Sequence, residues 1–383
     1  MWLKKEMAES RFLNGNKMNG NKKIITGCII SFLLLTQFSN AKVTGLCANC
    51  HTMHNSQAGD LVTRNLIDGQ YGDRINPNRA LLNTNCIGCH QGLNASGSLT
   101  PPNVLDINGP NYGTTGTEGN TLAGGSFYWV SHNAATGHNV SGVAPPDNRL
   151  GNLPPGQTVP LSGQLTCAGT TGCHGDRTVS GQIASMLTAH HNNDMTTWKD
   201  GSSLPASYRF LNGIQGLEDQ QYEYLPGSGL AGAGHHNKYY GRDRINETDD
   251  AEGTISSVCA QCHGDFHNGS GNLAAASMGS GVWLRHPTDF DMAHTDVDSE
   301  YRLYGDSSGS GTNEYSVISP VATANMSDSL NSTVFTENDD AIVMCLSCHR
   351  AHGTPYDAIL RWDYKAWPGD GFNGCAVCHT SKD

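Results

Sequence analysis

The sequence predicts mostly irregular coil with short α-helices and little β-structure, closed around a core that is not protein. Three observations lead there. Hydrophobic residues make up 37% of the 383 positions and 46 are Gly, too little apolar side chain to offset the conformational entropy of folding by self-burial. Thirteen Cys and 17 His exceed ordinary usage, and both residue types ligate metals and cofactors. The long connections Leu93–Asn120, Asp147–Gly163 and Gly269–Gly281 are rich in Gly, Ser, Asn and Pro, so they are expected to hold no structure alone.

In chain order, residues 1–41 come first and read as a signal peptide. Lys22 and Lys23 precede an apolar run from Ile24 to Leu35, and Ser39-Asn40-Ala41 is a small-residue cleavage signal. Met18 would give a leader of ordinary length. The run is too short to span a bilayer well, and Ile25-Thr26-Gly27-Cys28 stands ahead of most of it, against the order of a lipoprotein box. Cleavage after Ala41 removes six basic and two acidic residues and leaves 17 and 33, a net charge of −16. That charge argues against nucleic acid or an anionic membrane surface as partner. The expectation is a secreted chain, with 42–383 as one domain and no membrane insertion of the mature protein.

The twelve cysteines of 42–383 all fall in one kind of motif. Cys47-Ala-Asn-Cys50-His51, Cys86-Ile-Gly-Cys89-His90, Cys259-Ala-Gln-Cys262-His263, Cys345-Leu-Ser-Cys348-His349 and Cys375-Ala-Val-Cys378-His379 are five copies of C-x-x-C-H. That spacing attaches haem c: two sulfurs form thioethers to the vinyl edge of a porphyrin, and the next residue sets its imidazole beneath the iron. Cys167 and Cys173-His174 form a sixth site with spacing C-x5-C-H, whose small insert Ala168–Gly172 can bulge away. A disulfide there would have no use for His174. Zinc would need two Cys pairs, or a pair with two His, to complete four ligands, whereas here every pair brings its own His. Six haem c groups are expected, as the core, with proximal ligands His51, His90, His174, His263, His349 and His379.

Eleven His remain, enough to close all six irons with a second imidazole and so make a wire rather than a catalyst. His54 and His352 follow a proximal His by three and His267 by four. On a helical turn such pairs share a face, while two axial ligands must come from opposite sides, so each must reach a different haem. His138 follows the aromatic stretch Phe127-Tyr128-Trp129-Val130, which is suited to pack on a porphyrin. His286 sits in Leu284-Arg285-His286-Pro287, where Arg285 suits a propionate. His190 and His191 end the helix candidate Ile183–Asn192, and residues 100° apart on a helix leave only one of them for iron. Asp357–Trp367 is the other sustained helix candidate. His132, His235, His236 and His294 are expected at the surface or on propionates.

Cys47–Ser56, Gly137-His138-Asn139, Cys259–Asn268 with Leu284-Arg285-His286-Pro287, and Cys345–His352 together resemble the extracellular hexahaem c-type cytochromes of metal-reducing bacteria. That family polymerises head to tail into outer-membrane cytochrome filaments, or nanowires. The resemblance implies coil with bis-histidine haems stacked in alternating parallel and T-shaped pairs. It also implies that His54 ligates a haem of the neighbouring subunit. The C-x5-C-H site and His190-His191 depart from the family pattern, and no distal-type His comes soon after the third motif. The leading expectation is therefore an electron-transfer protein, not an enzyme, whose partners are copies of itself, other cytochromes or extracellular electron acceptors. A monomeric periplasmic or outer-membrane carrier is the alternative. A multihaem reductase is remote, because no C-x-x-C-K motif supplies the open iron that it needs.

Overall fold

The computed structural model describes residues 46–91, 94, 101–112, 122–191, 194–220, 222–223, 235–244, 251–267, 286–305, 313–330 and 332–381. All belong to one unit, Ala41–Asp383. Residues 1–41, expected to be a signal peptide, and Arg285 lie outside the described residues.

Coil predominates. Ile255–Ala260 is the longest described α-helix at six residues, and its N-terminus is capped by the Thr254 side chain. Described strands pair only two at a time: Ser56–Gln57 with Asp60–Leu61, Arg64–Ile67 with Gln70–Arg74, Gly216–Leu217 with Lys238–Tyr239, Phe290–Asp291 with Ile342–Val343, and Thr166–Ala168 with Gly172–His174. No described helix is long and apolar enough to cross a membrane.

Three small apolar clusters stand where a single core would be expected. Each incorporates an attachment motif. Ile87 and Cys167 join the first, Val258, Met344 and Leu346 the second, and Val377 and Cys378 the third. The apolar side chains thus gather around the Cys-His motifs, as the composition predicts for a chain whose core is completed by something else.

Both sustained helix candidates are broken. In 183–192 an α-turn Gln182–Ser185 and a 3-10 turn Ala189–His191 are separated by Thr188 at φ +70°. In 357–367 only the 3-10 turns Asp357–Ile359 and Tyr364–Ala366 form. The carbonyls that a helix would use internally serve the fifth motif instead. Ala358 O accepts from His349 Nδ1 at 2.9 Å, Ile359 O accepts from Arg350 N, and Arg361 N donates to Cys348 O. This segment lies along the motif as a strand would.

Arg361 is 1% exposed. Its guanidinium donates to Ile318 O (2.9 Å), Leu346 O (3.3 Å) and Val317 O (2.8 Å). Replacing it by Leu leaves three inward carbonyls without that donor and is expected to cost about 3 to 4 kcal/mol. A guanidinium midpoint for Arg361→Leu equal to that of the parent protein would disprove this.

Candidate functional site

The five C-x-x-C-H motifs share one backbone device. Each winds a single helical turn that returns the His amide to the first Cys carbonyl. These bonds run from His51 to Cys47 (2.8 Å), His90 to Cys86 (2.9 Å), His263 to Cys259 (2.8 Å), His349 to Cys345 (3.1 Å) and His379 to Cys375 (2.8 Å). The turn puts both sulfurs and the imidazole on one side of the chain. At the sixth site the longer spacing forms a loop. Thr166–Ala168 and Gly172–His174 run parallel, with Thr166 opposite Gly172 and Ala168 opposite His174. Gly172 comes so close to Ala168 that a Cβ there would lie 2.5 Å from its amide nitrogen. The insert therefore folds out of the way, as expected, by strand pairing.

The imidazoles of all six motifs are held through Nδ1. Their Nδ1–H groups donate to Ala80 O (His51, 2.8 Å), Pro102 O (His90, 2.9 Å), Arg209 O (His174, 2.9 Å), Pro155 O (His263, 2.7 Å), Ala358 O (His349, 2.9 Å) and Glu300 Oε1 (His379, 3.1 Å). With Nδ1 as the donor, Nε2 keeps its lone pair for a metal.

The other imidazoles come to meet them. Ring centres of His51 and His191 are 6.0 Å apart, His90 and His190 6.4 Å, His174 and His352 6.4 Å, His263 and His138 6.1 Å, and His379 and His286 6.1 Å. A metal–imidazole bond of about 2.0 Å on each side of an iron sets ring centres about 6 Å apart. Burial pushes His263 down to about 4 and His352 to about 3, so both are neutral imidazoles at physiological pH, the form that binds metal.

The sulfurs add an order to the sites. Cys89 shares a thiol hydrogen bond with Cys50, Cys86 with Cys167, and Cys259 with Cys345. Cys262 lies near enough to Cys173, and Cys378 to Cys348, to raise those thiols by like-charge repulsion. In each of the second to fifth motifs, one Cys therefore faces the preceding motif and the other faces the next. These sulfurs, thiols in the bare polypeptide, stand for the thioether atoms that would join the porphyrin edge.

Comparison with known proteins agrees with this chemistry. The doubled CXXCH motif family matches residues 337–383. The C-type cytochrome OmcS of Geobacter sulfurreducens is 27% identical over 359 residues, 83% of this chain and 78% of that protein. Over most of its length the chain is similar to a c-type cytochrome. Two solved structures also resemble it: the Outer Membrane Cytochrome S filament from Geobacter sulfurreducens (21% identity, 84% of each chain, TM-score 0.41) and the OmcS nanowires of the same organism (24%, 85% of each chain, TM-score 0.45).

Three expectations about the remaining histidines change. His190 and His191 were expected to compete for one iron, yet each faces a different proximal imidazole. They sit on a 3-10 turn, where successive side chains diverge by about 120° and reach neighbouring motifs. His267, expected as a distal ligand, is buried with Nε2 bonded to Asp289 Oδ2 at 2.6 Å. The short helix Gly264–His267 turns it towards that carboxylate. His236, expected at the surface or on a propionate, is 1% exposed and stacks on Tyr315 at 3.8 Å. His132 bonds Tyr128 O, His235 pairs with Asp219, and His294 donates to Asp243. The aromatic stretch packs on an imidazole, since Phe127 stacks on His352 at 4.6 Å.

His349 stands apart. Among the described residues no second imidazole stands opposite it at the 6 Å spacing of the other five. His54 is exposed and, among the described residues, belongs to no such ring pair.

Proposed function

We propose that this cytochrome carries six haems c in a single row, each iron between two imidazoles, and moves electrons along that row as a protomer of an extracellular filament. The observation that carries the reading is the order of the sulfurs. Cys50 with Cys89, Cys86 with Cys167, Cys173 with Cys262, Cys259 with Cys345 and Cys348 with Cys378 link motifs one to six without a skip. Haem c, once attached, supplies the one-electron iron couple. The chain supplies the rest. Cys167, Cys173 and His174 hold the third site in the manner of the other five. His191, His190, His352, His138 and His286 close the first, second, third, fourth and sixth sites and keep substrates off them. His349 is left for His54 of a neighbouring copy, and the copies join head to tail by that bond. Similarity to a cytochrome that has been solved as a filament supports polymerisation, and passage of electrons to extracellular acceptors or other cytochromes follows from it.

Mass spectrometry of the mature protein is expected to count six attached haems, and electron microscopy of the same preparation to find filaments. Discrete monomers at every concentration would overturn the filament and leave a soluble carrier. An intact mass with fewer than six haems would overturn the count.

A further inference from the structure

Five of the six proximal imidazoles donate to main-chain carbonyls and one donates to a carboxylate. That exception is His379, whose Nδ1 lies 3.1 Å from Glu300 Oε1. The contact is built. Glu300 opens the 3-10 turn Glu300–Leu303, capped by Ser299. Thr380 Oγ1 donates to Glu300 O at 2.8 Å, and the amide (3.3 Å) and hydroxyl of Ser381 both donate to Oε2. The ring of Tyr301 meets His379 edge-on at 5.1 Å. One carboxylate oxygen is thereby given to Ser381 and the other to the imidazole. A glutamate side chain is ordinarily ionised at neutral pH, and these donors are the ones a carboxylate accepts. On the opposite side, among the described residues, His286 Nδ1 bonds the carbonyl of Pro287, at 2.8 Å.

We propose that Glu300 is a positioning residue that makes the iron bound by His379 the most reducing of the six. A full negative charge on the Nδ1–H draws the proton away and raises the basicity of Nε2, which favours the oxidised metal. A carbonyl dipole does the same more weakly. At 17% exposure of its side chain, Glu300 is only partly screened by water. The terminal site of the row would then differ in driving force from the other five, giving the row a direction. The inference rests on haem attachment at Cys375, Cys378 and His379.

Two conservative variants test it, with expected shifts of opposite sign. In Glu300→Gln the side chain still accepts from His379 without the charge. One of six one-electron steps in a spectropotentiometric titration is expected to rise by about tenfold in its reduction equilibrium constant, or 59 mV for one electron. In Ser381→Ala the carboxylate loses a competing donor, and the same step is expected to fall. The other five stay in place, and the moving step is absent from a Cys375→Ala, Cys378→Ala protein. If neither variant moves a step, if both move it the same way, or if the moving step survives in the double-alanine protein, the inference is wrong. Should Glu300→Gln fail to fold, Ser381→Ala decides alone. A parent protein with no porphyrin on the Cys375–Cys378 peptide would instead defeat the six-haem reading itself.

Discussion

His54→Ala should yield subunits that keep all their covalent haems and no longer join end to end. The substitution touches no cysteine and no proximal His, and His54 is exposed, so folding of the subunit has little at stake. What it removes, on the proposed reading, is the second ligand of the iron held by His349. Structural metal sites bind with about 10 to 16 kcal/mol over four ligands. One ligand is then worth about 3 to 4 kcal/mol, and its loss weakens each interface by roughly a hundred- to a thousandfold. Two readouts separate this from general damage. Light scattering and microscopy should find monomers, and the oxidised spectrum should show one high-spin iron in six. Added imidazole should restore the low-spin spectrum without restoring filaments, because free imidazole closes the iron but links nothing. Filaments of normal length from His54→Ala would refute the assignment.

Removing the third attachment should have the other large effect. Cys167 faces Cys86 and Cys173 faces Cys262, so this motif joins the first two sites to the last three. Cys167→Ala with Cys173→Ala is expected to lower the haem count by one. It should also split the row, so that electrons placed at one end equilibrate with the other far more slowly. Tunnelling falls exponentially with distance, and no neighbouring sulfur spans the gap. The strand-paired insert itself should persist, since Thr166–Ala168 and Gly172–His174 hold each other through main-chain bonds. Mass spectrometry and flash-reduction kinetics give both readouts. A parent protein with five haems and a Cys167–Cys173 disulfide would reverse the assignment.

The attachment sites were legible because each is local. Two sulfurs and an imidazole lie within a few residues, and the helical turn that gathers them needs nothing distant. The second ligands were only partly legible because tertiary packing chooses them. His352, three residues from His349, was expected to reach a different motif, and the close passage of 124–127 sets its ring opposite His174. His267 matched the same spacing argument, yet Asp289, twenty-two residues away, takes it. His190 and His191 were misjudged by assuming α-helical geometry on a stretch that breaks at Thr188. The segment 357–367 has a helical pattern, but its carbonyls are worth more to the fifth motif than to a helix of its own. Coil was predicted correctly for a related reason. Where motifs consume the local hydrogen-bonding groups, few are left to propagate regular structure.

His190 and His191 have a consequence for how this lineage can change. On the proposed reading two neighbouring sites are closed by one dipeptide, so a single insertion or deletion between Gln182 and His191 would misplace both second ligands at once. Loops between other motifs can lengthen or shorten with little penalty. Variation in length among descendants of this protein should therefore avoid that turn, and grafts or tags intended for the filament surface should avoid it too.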